Sequence, residues 1–242
     1  MINLITSIYN NQSTLPDTIL SLELQNQGFN WIIQDGGSKD NSLSLVEAST
    51  LKKEVLSEKD SGLYDALNRA IKRVNFGVIG FCHADDCLAN EGVIEKVKKA
   101  FEENPNIDAV YGDLEYKDES MTKTVRKWRS GEAQSMSTGW MPPHPALFVK
   151  KEVFDEIGLF RTDIGSAADY EWMLRAIHFN KIKLHYIPDV LVHMRSGGMS
   201  NKNIAARKEG MNGDLMAWKL NSGSKNYLAV LLKKLRKLPQ YL

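Results

Sequence analysis

Two adjacent carboxylates, Asp85-Asp86, follow a short apolar run, Val78-Ile79-Gly80-Phe81-Cys82, that predicts a buried strand. Acids at the carboxyl end of a strand sit where α/β sheets open a crevice for ligands. Two hard oxygen ligands there, with substrate phosphate oxygens completing the shell, suit Mg²⁺ or Mn²⁺. An Asp-Asp turn also serves simply to cap a following helix, so the reading depends on what accompanies it. Asp35-Gly36-Gly37-Ser38-Lys39-Asp40 follows an earlier predicted strand, and Ala168-Asp169-Tyr170-Glu171 lies far downstream. Gly36 and Gly37 allow close backbone approach to a ligand, although Asp-Gly-Gly-Ser also makes a plain turn. Cys82 and Cys87 are the only cysteines, which points to a reducing compartment and no disulfide framework. No second cluster completes a tetrahedral zinc set around Cys82-His83 and Cys87.

These side chains need a frame. Ile2–Ile8 is an apolar β-rich run closed by polar Tyr9-Asn10-Asn11-Gln12-Ser13. Leu15, Ile19, Leu22 and Leu24 recur at roughly helical spacing, with Pro16 and Asp17 suited to a first turn. Strands are predicted at 31–33, 54–57, 78–82 and from 109. Helices are predicted at 41–48, around Leu63 to Val74, and at 91–103. This alternation argues for a mostly parallel sheet covered on both faces. Right-handed crossovers gather the Asp35 and Asp85-Asp86 loops on one edge. After residue 113 the alternation breaks down: 115–129 reads as antiparallel strands, Trp140-Met141-Pro142-Pro143-His144-Pro145 is too proline-rich for regular structure, and a helix starts near Ala168. Two further strands, 183–187 and 190–194, flank Pro188.

With 242 residues, 43% hydrophobic and 25% charged, the chain has the composition of an ordinary globular protein with a sizeable core. Its net charge of +1 gives no global field toward nucleic acid. Residues 225–242 nevertheless carry +5, leaving −4 on the other 224. On a helical wheel Leu228, Leu231, Leu232, Leu235 and Leu238 share one face and Lys233, Lys234, Arg236 and Lys237 the other. That pattern suits a helix lying in an anionic membrane surface, or a terminal helix docked on the domain or on a second copy in a homodimer. No signal-peptide series opens the chain and no apolar run is long enough to span a bilayer, so a cytoplasmic protein, peripheral at the inner face of the membrane, is expected.

Five ordered segments carry a family resemblance: Ile5-Thr6-Ser7-Ile8-Tyr9-Asn10, Gln34-Asp35-Gly36-Gly37-Ser38-Lys39-Asp40, Ser57-Glu58-Lys59-Asp60-Ser61-Gly62-Leu63-Tyr64-Asp65-Ala66-Leu67-Asn68, His83-Ala84-Asp85-Asp86 and Ala167-Ala168-Asp169-Tyr170-Glu171. In this order the chain resembles glycosyltransferase family 2, inverting GT-A-type enzymes that use nucleotide-diphosphate sugars, over residues 1–200. The third segment looks most like bacterial surface-polysaccharide enzymes. The resemblance implies a GT-A-type nucleotide-binding α/β sandwich. Residues 1–113 form its nucleotide-sugar half, 114–200 its acceptor half, and 201–242 a helical extension.

The resemblance also implies roles. Asp86 is the first choice for direct metal ligand, with Asp85 a second ligand or a ribose or sugar contact. The family's usual Asp-x-Asp has His83 at its first place here, which leaves the inner ligand open between the two acids. His193 is a further candidate for metal or diphosphate. Asp169 matches the catalytic base, with Glu171 as rival. Asp35 is placed to accept from a uracil ring. Thr6, Tyr9, Asp60, Asn68 and Arg69 fall in segments lining the nucleotide cleft, and Arg195-Ser196-Gly197-Gly198 in a loop able to close on the diphosphate. Trp140 and His144 fall on the acceptor side, the Trp as a flat face for a sugar ring. The implied activity is metal-dependent inverting transfer of a hexosyl or N-acetylhexosaminyl group, from a UDP-sugar by family precedent, to a lipid-linked saccharide of O-antigen type. The competing reading is a non-catalytic GT-A-shaped subunit that binds nucleotide or polysaccharide. No Gly-x-x-x-x-Gly-Lys-Ser/Thr phosphate loop is present.

Overall fold

The computed structural model describes residues 1–25, 28–197 and 204–241, without the side chains of 204–207 and 241. Four parallel strands open the fold: β1 (Ile2–Ile8), β2 (Phe29–Asp35), β3 (Lys53–Ser57) and β4 (Val78–Phe81). They are linked by helices α1 (Leu15–Glu23), α2 (Ser42–Ala48) and α3 (Leu63–Arg73). The order β3-β2-β1-β4 reverses direction between β1 and β4. At such a switch point the adjoining loops splay apart and leave a crevice.

Beyond β4 the sheet turns mixed. A three-residue strand β5 (Asp86–Leu88) comes next, then α4 (Val93–Glu103), and β6 (Ala109–Lys117) hairpins with β7 (Thr124–Trp128). β8 (Leu147–Lys150) runs antiparallel between β4 and β6 and is followed by α5 (Lys151–Ile157). Helix α6 (Ala168–Met173) continues as a π-helical stretch, Leu174–Phe179, and leads to β9 (Leu184–Arg195). The expected pair of strands around Pro188 is this one strand. Its pairing with β6 slips around Asp113, and the slip absorbs a residue with no N–H to offer the ladder.

The extension is part of the same body. Helix α7 (Ile204–Ser222) packs on α6, where the Trp218 indole donates to the Tyr170 hydroxyl at 2.9 Å. Helix α8 (Tyr227–Leu235) follows, and Ala229, Val230 and Trp218 join one core with Phe81, Tyr111 and Trp172. A second core on the opposite sheet face joins Leu4, Trp31, Ile33 and Phe148.

Two buried polar clamps set the frame of the crevice. Thr6 accepts from the Trp31 indole at 2.9 Å, tying β1 to β2. Asn68 donates to Phe160 O (2.8 Å) and accepts from Phe160 N (3.0 Å), pinning α3 to the segment after α5. Asn68→Ala strands both backbone groups, at about 1–3 kcal/mol for each unpaired group. A chain of this size loses about 2–4 °C of melting midpoint per kcal/mol. A calorimetric drop of roughly 4 °C or more is expected, and an unchanged midpoint would deny the clamp its role.

Candidate active site

The loops at the carboxyl edge of β1 and β2 are laced together. Asn10 N donates to Ser38 Oγ (2.9 Å), Lys39 N to Asn10 Oδ1 (2.9 Å), Gln12 N to Asp40 (3.0 Å) and Asn41 N to the Gln12 side chain (3.1 Å). Exposed Tyr9 stands in this lacing opposite Gly36 and Asp60. A Cβ at Gly36 would come 2.7 Å from Asp60 Oδ2 and 3.3 Å from the Tyr9 ring, so Gly36 lets these two side chains close in on the turn. Asp60 Oδ1 accepts from Gly62 N at 2.9 Å, and among the described residues Oδ2 has no hydrogen-bond partner.

Asp35 is not free for a base. It is fully buried and accepts from Gly37 N (3.1 Å), Ser38 N (3.1 Å) and Ser57 Oγ (2.5 Å), which spends its carboxylate on the turn. Thr6 and Asn68 are likewise framework, as above. Arg69 reaches Asp65 at 3.0 Å on the next helical turn and Glu58 at 3.4 Å, so its charge is already matched. Arg195 pairs with Asp17 at 2.6 Å and donates to Glu119 O. The continuation of its loop, including Gly198, lies outside the described residues.

The acid pair divides between two environments. Asp86 begins β5 with 0% exposure, and among the described residues neither carboxylate oxygen has a hydrogen bond of normal geometry, the Arg195 backbone amide pulling on it only weakly. Burial first, then the neighbouring Asp85, drives its pKa well above the ordinary range, against the pull of Arg195. Asp85 is half-exposed in the turn above it and bears on His83. His193 does not join them. Asp86 lies opposite Met194 in the β5–β9 pairing and His193 opposite Cys87, and directly opposed residues share a sheet face. His193 therefore faces away from Asp86, with Glu115 3.8 Å from its Nε2. Among the described residues no three His, Cys, Asp or Glu side chains converge as a metal cage. A metal at Asp85 therefore needs oxygens from a substrate to fill its shell.

Asp169, at the start of α6, lies across the crevice. Burial raises its pKa, while Lys233, Tyr170 N–H, Lys237 and His83 hold it down, the N–H at 2.7 Å from Oδ1. His83 feels both Asp85 and Asp169, yet its own burial prevails and lowers its pKa. The Tyr64 hydroxyl donates to Ser166 O at 3.4 Å beside Asp169, and burial pushes its pKa far up. Glu171 is turned away: it is 1% exposed, paired with Arg175 at 2.8 Å and bonded to Asn221 at 3.1 Å. His144 is buried beneath His83, ring centroids 6.0 Å apart, with its pKa pushed down to about 3 by burial and then by His83. Trp140 is 3% exposed and its indole donates to Ser130 O at 3.0 Å, so it is packed into the core and is not an open platform for a sugar ring.

Sequence reasoning missed Tyr64 and the cations of α8. Tyr64 stood inside the quoted Asp60–Asn68 segment, at the second position of a helix that starts at the sheet edge. The sequence pattern leaves Lys233 and Lys237 open between a membrane-facing stripe and a helix docked on the domain or on a second copy. In the structure Lys233 turns inward: it pairs with Asp214 at 2.8 Å and lies 3.6 Å from the Tyr170 ring centroid, while Lys234 stays exposed. The opposite face, Leu228, Leu231 and Leu235, with Leu238 beyond the helix, is exposed. Gly139, at φ +79°, permits this docking, because a Cβ there would lie 2.2 Å from the Lys233 backbone N.

A parallel strand-helix half, an acid pair at its edge and a buried carboxylate across the crevice fit the class of GT-A-type glycosyltransferases. The chain belongs to glycosyl transferase family 2, whose family model matches residues 4–161. It is 26% identical over 208 residues to the PGL/p-HBAD biosynthesis glycosyltransferase of Mycobacterium bovis, covering 83% of this chain and 79% of that one. It is 28% identical over 189 residues to an uncharacterized glycosyltransferase of Haemophilus influenzae, covering 73% and 62%. Its fold is similar to that of S. aureus TarS 1-349 in complex with UDP-GlcNAc, at TM-score 0.69 and 16% identity over 96% of this chain and 70% of that one. The mannosyltransferase PcManGT from Pyrobaculum calidifontis, in complex with GDP-Man and Mn²⁺, matches at TM-score 0.69 and 15% identity over 99% and 72%.

Proposed function

We propose that the chain transfers a hexosyl or N-acetylhexosaminyl group, with inversion, from a UDP-sugar to a hydroxyl of a lipid-linked saccharide acceptor in bacterial surface-polysaccharide synthesis. One observation supports this reading: Asp85 and Asp169 both bear on the buried His83 ring, so the two acids lie near one another. The nucleotide base occupies the slot between Tyr9 and Asp60, with Asp60 Oδ2 taking the recognition role first given to Asp35. Asp85 is the inner metal ligand and Asp86 its buried support. Unsatisfied carboxylate oxygens under a half-exposed acid suit a hard divalent ion, Mn²⁺ or Mg²⁺. When bound, the ion stabilises charge developing on the leaving diphosphate. Asp169 takes the proton of the acceptor hydroxyl on the face opposite the diphosphate, and its raised pKa favours that transfer.

The test is thermal stability against a panel of nucleotide diphosphates and their sugars, each with Mn²⁺ and with chelator. Ligand that binds only the folded state raises the midpoint. A metal-dependent shift with a uridine donor is expected. No shift with any donor would favour the non-catalytic subunit.

The exposed leucine ridge of α8 supports seating at the inner face of an anionic membrane, with exposed Lys225 and Lys234 toward the headgroups. Among the described residues no helix is long and apolar enough to cross a membrane. Leu231→Glu with Leu235→Glu is expected to abolish flotation with anionic vesicles while leaving the melting midpoint within a few degrees. Retained flotation would remove the ridge from membrane binding.

A further inference from the structure

A cavity of about 200 Å³ opens between α8, the turn at Gly139 and the end of β7, lined by Arg129, Ser130, Trp140, Lys233, Arg236 and Lys237 among others. Four of these side chains are cations, and none of the lining residues is acidic. Two are balanced from behind: Arg129 by Asp113 at 3.0 Å and Lys233 by Asp214 at 2.8 Å. Arg236 donates to Thr138 O (2.9 Å) and Gln134 (2.7 Å), neutral groups that orient it without cancelling its charge. Lys237 is half-buried, and its ammonium has no hydrogen-bond or ion-pair partner among the described residues. A desolvated cation with no carboxylate at ion-pair distance is costly. A folded chain keeps such a group where a ligand supplies the missing anion.

We propose that this cavity binds a phosphate group of the acceptor, next to the sugar whose hydroxyl faces Asp169. The inference rests on the transferase reading above and narrows its acceptor to a phosphate-bearing saccharide. The volume suits one phosphate with a few waters, at roughly 30 Å³ per water. Guanidinium and ammonium donors together supply the charge-assisted hydrogen bonds that phosphate oxygens take. The indole and Ser130 wall the side away from solvent. Lys237 is faced by Lys233 from α8, Arg126 from β7, Asp214 from α7 and Asp169 from α6. Burial first, then the two neighbouring cations, pushes its pKa down to about 8, so the proton needed for anion binding leaves as pH rises from 7 to 9.

The experiment titrates glycerol phosphate into the full chain in chelator, by thermal shift and calorimetry, with glycerol as the neutral control. Saturable binding is expected that UDP does not displace and that weakens from pH 7 to pH 9. Lys237→Met and Arg236→Gln should each weaken it at least tenfold, while Lys237→Arg retains it; ligand-free melting shows whether each variant is folded. Equal binding to folded Lys237→Met, or displacement by UDP, would overturn the proposal. So would binding to phosphatidate vesicles alone, with none to glycerol phosphate, which makes the cavity a headgroup site. A UDP-sugar titration with Mn²⁺ on the same samples separates the two readings. Lost donor binding with phosphate binding intact sinks the transferase and leaves the cavity, and the converse sinks only the cavity.

Discussion

Asp169→Asn is expected to lower kcat about 10²–10⁴-fold, the usual contribution of a positioned general base, while the metal-dependent thermal shift with the donor survives. The amide matches the carboxylate in size and can still accept from Tyr170 N–H, so the fold should tolerate it. Full transferase activity in the variant would pass the base role elsewhere, and Glu171 is a poor heir because Arg175 and Asn221 hold it. The pH profile gives a second check. Burial raises the Asp169 pKa, so its charged form is lost, and transfer with it, as pH falls through that raised value. Lys233, Lys237 and His83 oppose the rise. Removing the charge in Lys237→Met should therefore move the acid limb of kcat to higher pH. An acid limb that stays put would show that Lys237 does not bear on the base.

Asp85→Ala is expected to abolish the metal-dependent part of donor binding. A loss above about 100-fold is expected, beyond the 10–100-fold typical of losing an outer partner of a metal ligand. Asp86→Asn should fall within that smaller range. Its carboxyl is fully buried with a strongly raised pKa, so a neutral amide of the same shape suits the cavity. Titrating Mn²⁺ against a fixed UDP-sugar concentration ranks the two variants. A reversed ranking would return the inner position to Asp86.

The parallel half was legible because its signals are local. Alternating apolar runs and helical spacing predicted β1 to β4, and the polar stops between them predicted which loops would meet. The family strings picked out Asp85, Asp86 and Asp169, and the fold sets these three around His83. What they did not carry was which polar atoms the fold uses for itself. Asp35, Thr6, Asn68 and Arg69 all sit beside the crevice, yet each is matched by a partner that only the packed structure brings near. Which of Asp85 and Asp86 is buried was hidden for a related reason. β5 starts at Asp86, and a three-residue strand has too few positions to show a period of two. His193 was lost to the same parity, because one step along β9 moves a side chain to the other face. For α8 the wheel correctly paired leucines against lysines, but amphipathicity is silent on which face meets protein.

That inversion makes α8 a mechanical lever. It is nine residues long, and side chains on opposite faces of one helix are joined by nothing more compliant than its backbone hydrogen bonds. Whatever load falls on Leu228, Leu231 and Leu235 is carried straight to Lys233, and through it to the ring of Tyr170 and the neighbourhood of Asp169. Gly139, pressed against the helix backbone, is the fulcrum. Where the leucine ridge seats on a membrane as proposed above, turnover on that surface should differ from turnover of the free chain in kcat as well as in apparent affinity.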